Sequence, residues 1–184
     1  MPDPTNCKKM CAALALALFG TTVSAALAVG DAAPDFTVPG ARGGKPFSFS
    51  LAESLKKGPV VLYFYPKAFT SGCTAEAHDF AEATPKFNAL GATVVGMSND
   101  DIGTLQKFST EACRDRFAVL ADAGGRITKR YDAALMKGLE MADRISYVIG
   151  PQGKVLYAYA SSNPEEHVKR TLAAVEKWKA AKAP

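Results

Sequence analysis

The sequence predicts an α/β sandwich with a mixed sheet, and three observations carry that prediction. Short runs of β-branched and aromatic residues alternate with segments of helical periodicity through the first two thirds of the chain. Two later apolar runs then flank Gly150-Pro151-Gln152-Gly153, the signature of a hairpin, and an amphipathic pattern closes the chain. Strands alternating with helices require a layered fold, and a hairpin added to such an order makes the sheet mixed.

In order along the chain, residues 29–58 are rich in Gly and Pro, with short apolar pieces at 35–38 and 47–49 that can pair as an edge hairpin. Residues 60–65 form a strand buried on both faces, which Pro66 stops. Between 74 and 90, Ala77, Phe80, Ala81, Phe87 and Leu90 recur at near-helical spacing, with Pro85 expected to kink or end the first part. A second buried strand is expected at 93–97. A helix follows over 100–113, capped by Asn99 or Asp100, with Ile102, Leu105, Phe108 and Ala112 on one side. A third strand falls at 117–120 and a short helix at 125–131. Strands at 145–149 and 154–159 make the hairpin. A terminal helix over 164–179 takes Asn163 as cap and Pro164 as first residue, with Val168, Leu172, Val175 and Trp178 facing inward. Gly43-Gly44 and Gly124-Gly125 read as turns.

The 184 residues suffice for one domain with a substantial core, and 48% hydrophobic with 22% charged residues argues against disorder. A net charge of +4 comes from dispersed lysines and arginines, without the basic stripe that tracks a phosphate backbone, so no nucleic-acid partner is expected. At the N-terminus, Lys8 and Lys9 precede an apolar run, and Ala26-Leu27-Ala28 has the form of a cleavage site. Residues 1–28 read as a secretory signal peptide and 29–184 as the mature domain, periplasmic or otherwise exported. The alternative, a membrane anchor, meets an apolar run well short of the roughly 20 residues that span a bilayer. Cys11 lies at the start of that run, which argues against lipid attachment there. Cleavage would leave Cys73 and Cys113, an even pair compatible with a disulfide or redox couple in an oxidising compartment. Their spacing fits neither a Cys-x-x-Cys redox site nor a zinc ribbon.

Cys73 follows the first buried strand and begins a helical pattern, so the positive end of a helix favours its thiolate as a nucleophile. Pro66, Thr70 and Cys73 have the Pro-x3-Thr-x2-Cys spacing, and Cys73, Thr74, Glu76 and Phe80 the Cys-Thr-x-Glu-x3-Phe pattern, so the chain resembles the peroxiredoxins, in particular their bacterioferritin-comigratory, or Q-type, branch. The resemblance covers nearly the whole chain after the signal. It implies a thioredoxin-like fold, a three-layer α/β/α sandwich with a mixed central sheet, and a thiol-dependent peroxidase acting on hydrogen peroxide and organic hydroperoxides. Metal, haem and flavin are not required, and a thioredoxin-like dithiol protein is the implied reductant. A monomer or weak dimer is expected.

Within that resemblance Cys73 is the peroxidatic thiol, which ends as sulfenic acid. Backbone N–H groups near Gly72 and Cys73 can donate to peroxide oxygens, Thr70 can donate to one as well, and Pro66 can shape the pocket. Arg144, just before Ile-Ser-Tyr-Val-Ile-Gly, matches the family's late-strand arginine and would supply the fixed positive charge; the alternative is a solvated strand-edge charge. Glu76 fits the branch pattern and equally suits a helix first turn. His78 stands where many Q-type members have a second cysteine, and Ala68 and Ser71 replace a common Asp and Pro. Cys113 is then the candidate resolving cysteine, with Arg114 and Arg116 expected to favour its thiolate; the alternative is a buried structural thiol. His78 and His167 read as exposed helix residues. Tyr63, Phe64 and Tyr65 read as strand core, one of them lining the pocket. Two rival functions stay open: an exported thiol-disulfide oxidoreductase, and a non-enzymatic redox-sensing module.

Overall fold

The computed structural model describes residues 26–182. Among them the strands are β1 (Thr37–Arg42), β2 (Lys45–Ser50), β3 (Val60–Phe64), β4 (Thr93–Ser98), β5 (Ala118–Ala121), β6 (Ile145–Ile149) and β7 (Val155–Ala160). The helices are α1 (Leu51–Leu55), α2 (Ser71–Ala89), α3 (Ile102–Glu111), α4 (Arg126–Arg130) and α5 (Glu165–Ala180). All strands join one sheet in the order β2-β1-β5-β4-β3-β6-β7. The pairs β3–β4 and β4–β5 are parallel and the rest antiparallel, so the sheet is mixed as the sequence predicts.

β3 lies between β4 and β6 and is buried throughout, which explains its uninterrupted apolar run. Alternation divides its side chains between two cores. Val61 and Tyr63 face a cluster shared with Phe80 and Phe87 of α2, Leu105 and Phe108 of α3, and Val175 of α5. Val60, Leu62 and Phe64 face the opposite cluster, closed by Leu51 and Leu55 of α1 and Ile127 of α4. The result is helix, sheet, helix. Gly96 is fixed by this packing: a Cβ there would sit 2.7 Å from the Tyr63 ring, so only glycine lets the tyrosine lie across β4.

The structure departs from the sequence reading at several points. α1 was unforeseen, although Ser50 caps it by accepting from the Glu53 N–H at 3.3 Å in a Ser-x-x-Glu pattern. α2 does not end at Pro85, because buried residues on both sides of it, Phe80 and Phe87 among them, hold the helix in the core. The α3 cap is Asp101 rather than Asn99 or Asp100; its carboxylate accepts from the N–H and the hydroxyl of Thr104 at 3.0 and 2.7 Å. Finally, α5 takes Pro164 rather than Asn163 as its N-cap, and its fully buried positions are His167, Thr171 and the expected Val175, while the expected Val168 and Leu172 are only partly buried against the core. The signal-peptide reading falls almost wholly on residues outside those described. Leu27, which is described, packs on the second core and donates its N–H to the Tyr147 hydroxyl at 3.1 Å.

Candidate active site

The loop after β3 is held in place from β4. Tyr65 extends the parallel pairing by donating its N–H to the Met97 carbonyl at 3.0 Å, and Pro66 then ends the ladder. The Asp100 carboxylate accepts from the Ala68 N–H and from the Ser98 hydroxyl, both at 2.8 Å, tying the loop to the end of β4. Phe69 takes a positive φ of 64° and sets its ring edge-on to Phe108, 5.1 Å away. The chain is thereby turned into α2, whose first hydrogen bond runs from the Thr74 N–H to the Thr70 carbonyl at 2.8 Å.

Thr70 is the N-cap and Cys73 the third helical residue. Backbone N–H groups of Ser71, Gly72 and Cys73 therefore lie in the first turn, where a helix offers no internal acceptors. The Thr70 hydroxyl donates to the Lys67 carbonyl at 3.0 Å. Cys73 is only 2% exposed and belongs to the first core cluster. The helix axis, not the flanking residue types, decides where its side chain points.

Arg144, just ahead of β6, reaches this sulfur on the face of the sheet that carries α2 and α5. The residue is 7% exposed, so the solvated strand-edge alternative does not hold. Its Nη2 donates to Cys73 Sγ at 3.4 Å, its Nη1 to Glu76 Oε2, and its Nε to the Ser162 carbonyl at 3.2 Å. Gly72 leaves room for the guanidinium, since a Cβ there would come within 3.3 Å of Nη2. The site so places one positive group and a helix N-terminus around one sulfur.

Behind the arginine lies a polar cluster that sequence reasoning left unassembled. Glu76 is fully buried, and burial pushes its carboxyl up to about 8 against the pull of Arg144. His167, expected on the surface, is 0% exposed. Its ring is held at both nitrogens: Nε2 donates to the Ser161 carbonyl at 3.0 Å, and the Ser146 hydroxyl donates to Nδ1 at 2.8 Å. Burial, aided by Arg144, holds the imidazole below its usual range, which keeps it neutral. His78 is half-buried on α2. The only sequence signal for this cluster is the position of Glu76 within the Cys-Thr-x-Glu pattern.

Cys113 follows the C-cap of α3, is fully buried and, like Cys73, is a free thiol. Burial drives its thiol well above the usual range and Asp115 adds to the effect, so the help expected from Arg114 and Arg116 does not materialise. Arg114 instead pairs with Glu82 at 3.2 Å, and Arg116 lines a cavity of about 440 Å³ with Arg42, Lys57 and Phe117. Both cysteines share the first core with Tyr63 and Tyr65.

A thiol at a helix start, met by an arginine from just ahead of a neighbouring strand in an α/β/α sandwich, is the arrangement of a thioredoxin-like thiol protein, and the chain belongs to the AhpC/TSA family, whose sequence model matches residues 29–158. Within it, the similarity runs to the Q-type peroxiredoxins. Peroxiredoxin Q of Populus jackii chloroplasts is 36% identical over 152 residues, covering 82% of this chain and 69% of the relative. Peroxiredoxin Q of Oryza sativa subsp. japonica chloroplasts is 35% identical over 144 residues, covering 78% of this chain; the match spans 64% of that relative's length. Among solved structures, peroxidoxin BcpB of Mycobacterium tuberculosis superposes with a TM-score of 0.71 at 34% identity, covering 81% of this chain and 96% of the other.

Proposed function

We propose that the protein is a thiol-dependent peroxidase whose Cys73 reduces hydrogen peroxide or organic hydroperoxides. The contact of Arg144 Nη2 with Cys73 Sγ at the start of α2 carries this reading. The Cys73 thiolate attacks one peroxide oxygen and the O–O bond breaks. Sulfur is oxidised to sulfenic acid, and the departing oxygen takes a proton to leave as water or alcohol. Arg144 and the first-turn N–H groups are placed to stabilise charge on the oxygens as it develops. Thr70 turns its hydroxyl from the Lys67 carbonyl to the substrate, and Pro66, which has no N–H, walls the pocket.

Cys113 then attacks the sulfenic acid, releasing water and forming an intramolecular disulfide. A thioredoxin-like dithiol reduces that bond by exchange. Bridging requires Cα atoms within about 7 Å, and because Cys113 is fully buried, the turn that holds it opens for the reaction. Its neighbours favour this: Arg114 and Asp115 are consecutive non-glycine residues at φ of 50° and 60°, a conformation whose strain is relieved when the turn opens. Residues 1–28 act as an export signal cleaved after Ala28, and the mature domain works outside the cytoplasm as a monomer or weak dimer.

Stopped-flow peroxide consumption with a dithiol donor tests the reading: saturable turnover abolished by Cys73→Ser supports it. Turnover in insulin reduction without peroxide consumption would overturn it. Peptide mass mapping after one equivalent of peroxide is expected to find a Cys73–Cys113 bridge, whereas persistent sulfenic acid with free Cys113 would leave a one-cysteine cycle.

A further inference from the structure

His167 is a polar side chain with no exposed surface at the N-terminal end of the inward stripe of α5. Its surroundings explain why that position is not apolar. An aliphatic residue would fill the space but leave the Ser146 hydroxyl without its acceptor and the Ser161 carbonyl without this donor. A third group also faces the ring: Glu76 Oε1, 3.7 Å from Nδ1, is buried and has no hydrogen-bond partner of its own. The other oxygen of the same carboxyl holds Arg144 Nη1.

Of the groups that hold the guanidinium, the Ser162 carbonyl is backbone, whereas Glu76 is a side chain that can rotate about its own bonds. We propose that His167 is a positioning residue for the chemistry of Cys73: by bracing the Glu76 carboxyl, it fixes where the Arg144 guanidinium meets the sulfur. Its use in catalysis rests on the peroxidase reading above, but its effect on Cys73 does not.

The charged and titratable groups around this brace come from every packed element. Glu76 is faced by Arg144 ahead of β6, His167 on α5, Asp79 on its own helix and the Tyr63 phenol on β3. His167 is faced by Arg144 and Asp143 as well as Glu76, and the Tyr159 ring closes its outer side at a centroid distance of 4.8 Å. With the imidazole neutral, the single lone pair of Nδ1 receives the Ser146 hydroxyl and lies beside a carboxyl that burial keeps partly protonated near neutral pH. A small side-chain rotation would let a proton on Oε1 compete with the Ser146 hydroxyl for that lone pair, so the brace holds while the carboxyl is protonated and is lost when it ionises.

The test uses the alkylation rate of Cys73 by iodoacetamide in a Cys113→Ser background, followed from pH 5.5 to 9, beside peroxide consumption in the two-cysteine protein. Two conservative variants separate positioning from packing. His167→Asn keeps a polar atom near the place of Nδ1, facing Glu76, while His167→Gln keeps one near the place of Nε2, facing Ser161. The expected result is that Asn retains most of the alkylation rate and Gln loses about ten- to a hundredfold, the scale of a displaced catalytic group, at comparable melting temperatures. An inflection near pH 8 in the parent profile, absent in Glu76→Gln, should move in His167→Gln. Equal rates in the Asn and Gln variants, or an inflection that does not move, would overturn the proposal. A parent protein that alkylates as expected but consumes no peroxide would refute the peroxidase reading while leaving the brace intact.

Discussion

Arg144 Nη2 and Cys73 Sγ lie 3.4 Å apart although 71 residues separate them in the chain, and the same guanidinium is held at two further points by Glu76 and the Ser162 carbonyl. A lysine preserves the charge but has one nitrogen where the arginine uses three. Arg144→Lys is therefore expected to lower the second-order rate of Cys73 with peroxide by about 10²-fold, the order found when one preorganised donor to developing charge is removed. Stopped-flow fluorescence checks this; a rate within a factor of three of the parent would mean that charge alone suffices.

Glu76 makes stability depend on pH. Its carboxyl is raised from 4.5 to about 8 in the folded protein, so between those values the native state binds more protons than the unfolded chain, and stability falls as pH rises. His167 works in the other direction. Its folded value lies below 6.5, the unfolded chain takes up the proton first, and stability is lost as pH falls below 6.5. The two slopes oppose each other below 6.5, leaving Glu76 alone between pH 6.5 and 8. Urea unfolding there should show a decline of at most about 1.4 kcal/mol per pH unit from this group, and Glu76→Gln should remove it.

Gly72→Ala sets helix stability against site geometry. Alanine suits the helical backbone better than glycine by up to about 1 kcal/mol, but its methyl carbon would stand 3.3 Å from Arg144 Nη2. The guanidinium cannot yield without disturbing its contacts to Cys73, Glu76 or Ser162. The variant should melt at or above the parent temperature while reacting more slowly with peroxide. A variant with an unchanged rate would show that the arginine has room to spare.

Asp100→Ala should loosen the loop that leads into α2. It removes the acceptor of the Ala68 N–H and of the Ser98 hydroxyl, at a cost of about 1–3 kcal/mol for bonds to a charged group. Denaturant titration should register that loss, and Cys73 alkylation should slow with it, because the loop sets the direction in which the helix begins.

Most of the sheet was legible in the sequence because its central strands are short apolar runs, the clearest of them ended by Pro or Gly, as at Val60–Phe64 before Pro66 and Ile145–Ile149 before Gly150. Of the candidate site, Pro66, Thr70, Cys73 and Arg144 were found by resemblance. The structure adds that Arg144 meets Cys73 directly. His167 was misread for a physical reason. Hydropathy assigns the inner face of a helix to its apolar residues, whereas this face centres on His167 and Thr171, whose polar groups are satisfied by Ser146, Ser161 and the helix backbone. Pro85 shows the limit of local rules, since tertiary packing carries α2 through it.

The connection between β7 and α5, residues 161–164, is short and unusually committed. Ser161 donates its N–H to the Arg144 carbonyl and offers its own carbonyl to His167, and the next carbonyl, that of Ser162, receives Arg144 Nε. Surface connections ordinarily accept inserted or deleted residues. This one is a ruler: a single residue added or removed would offset the two adjacent carbonyls from their side chains, so its length is as much a part of the cysteine site as any residue in it.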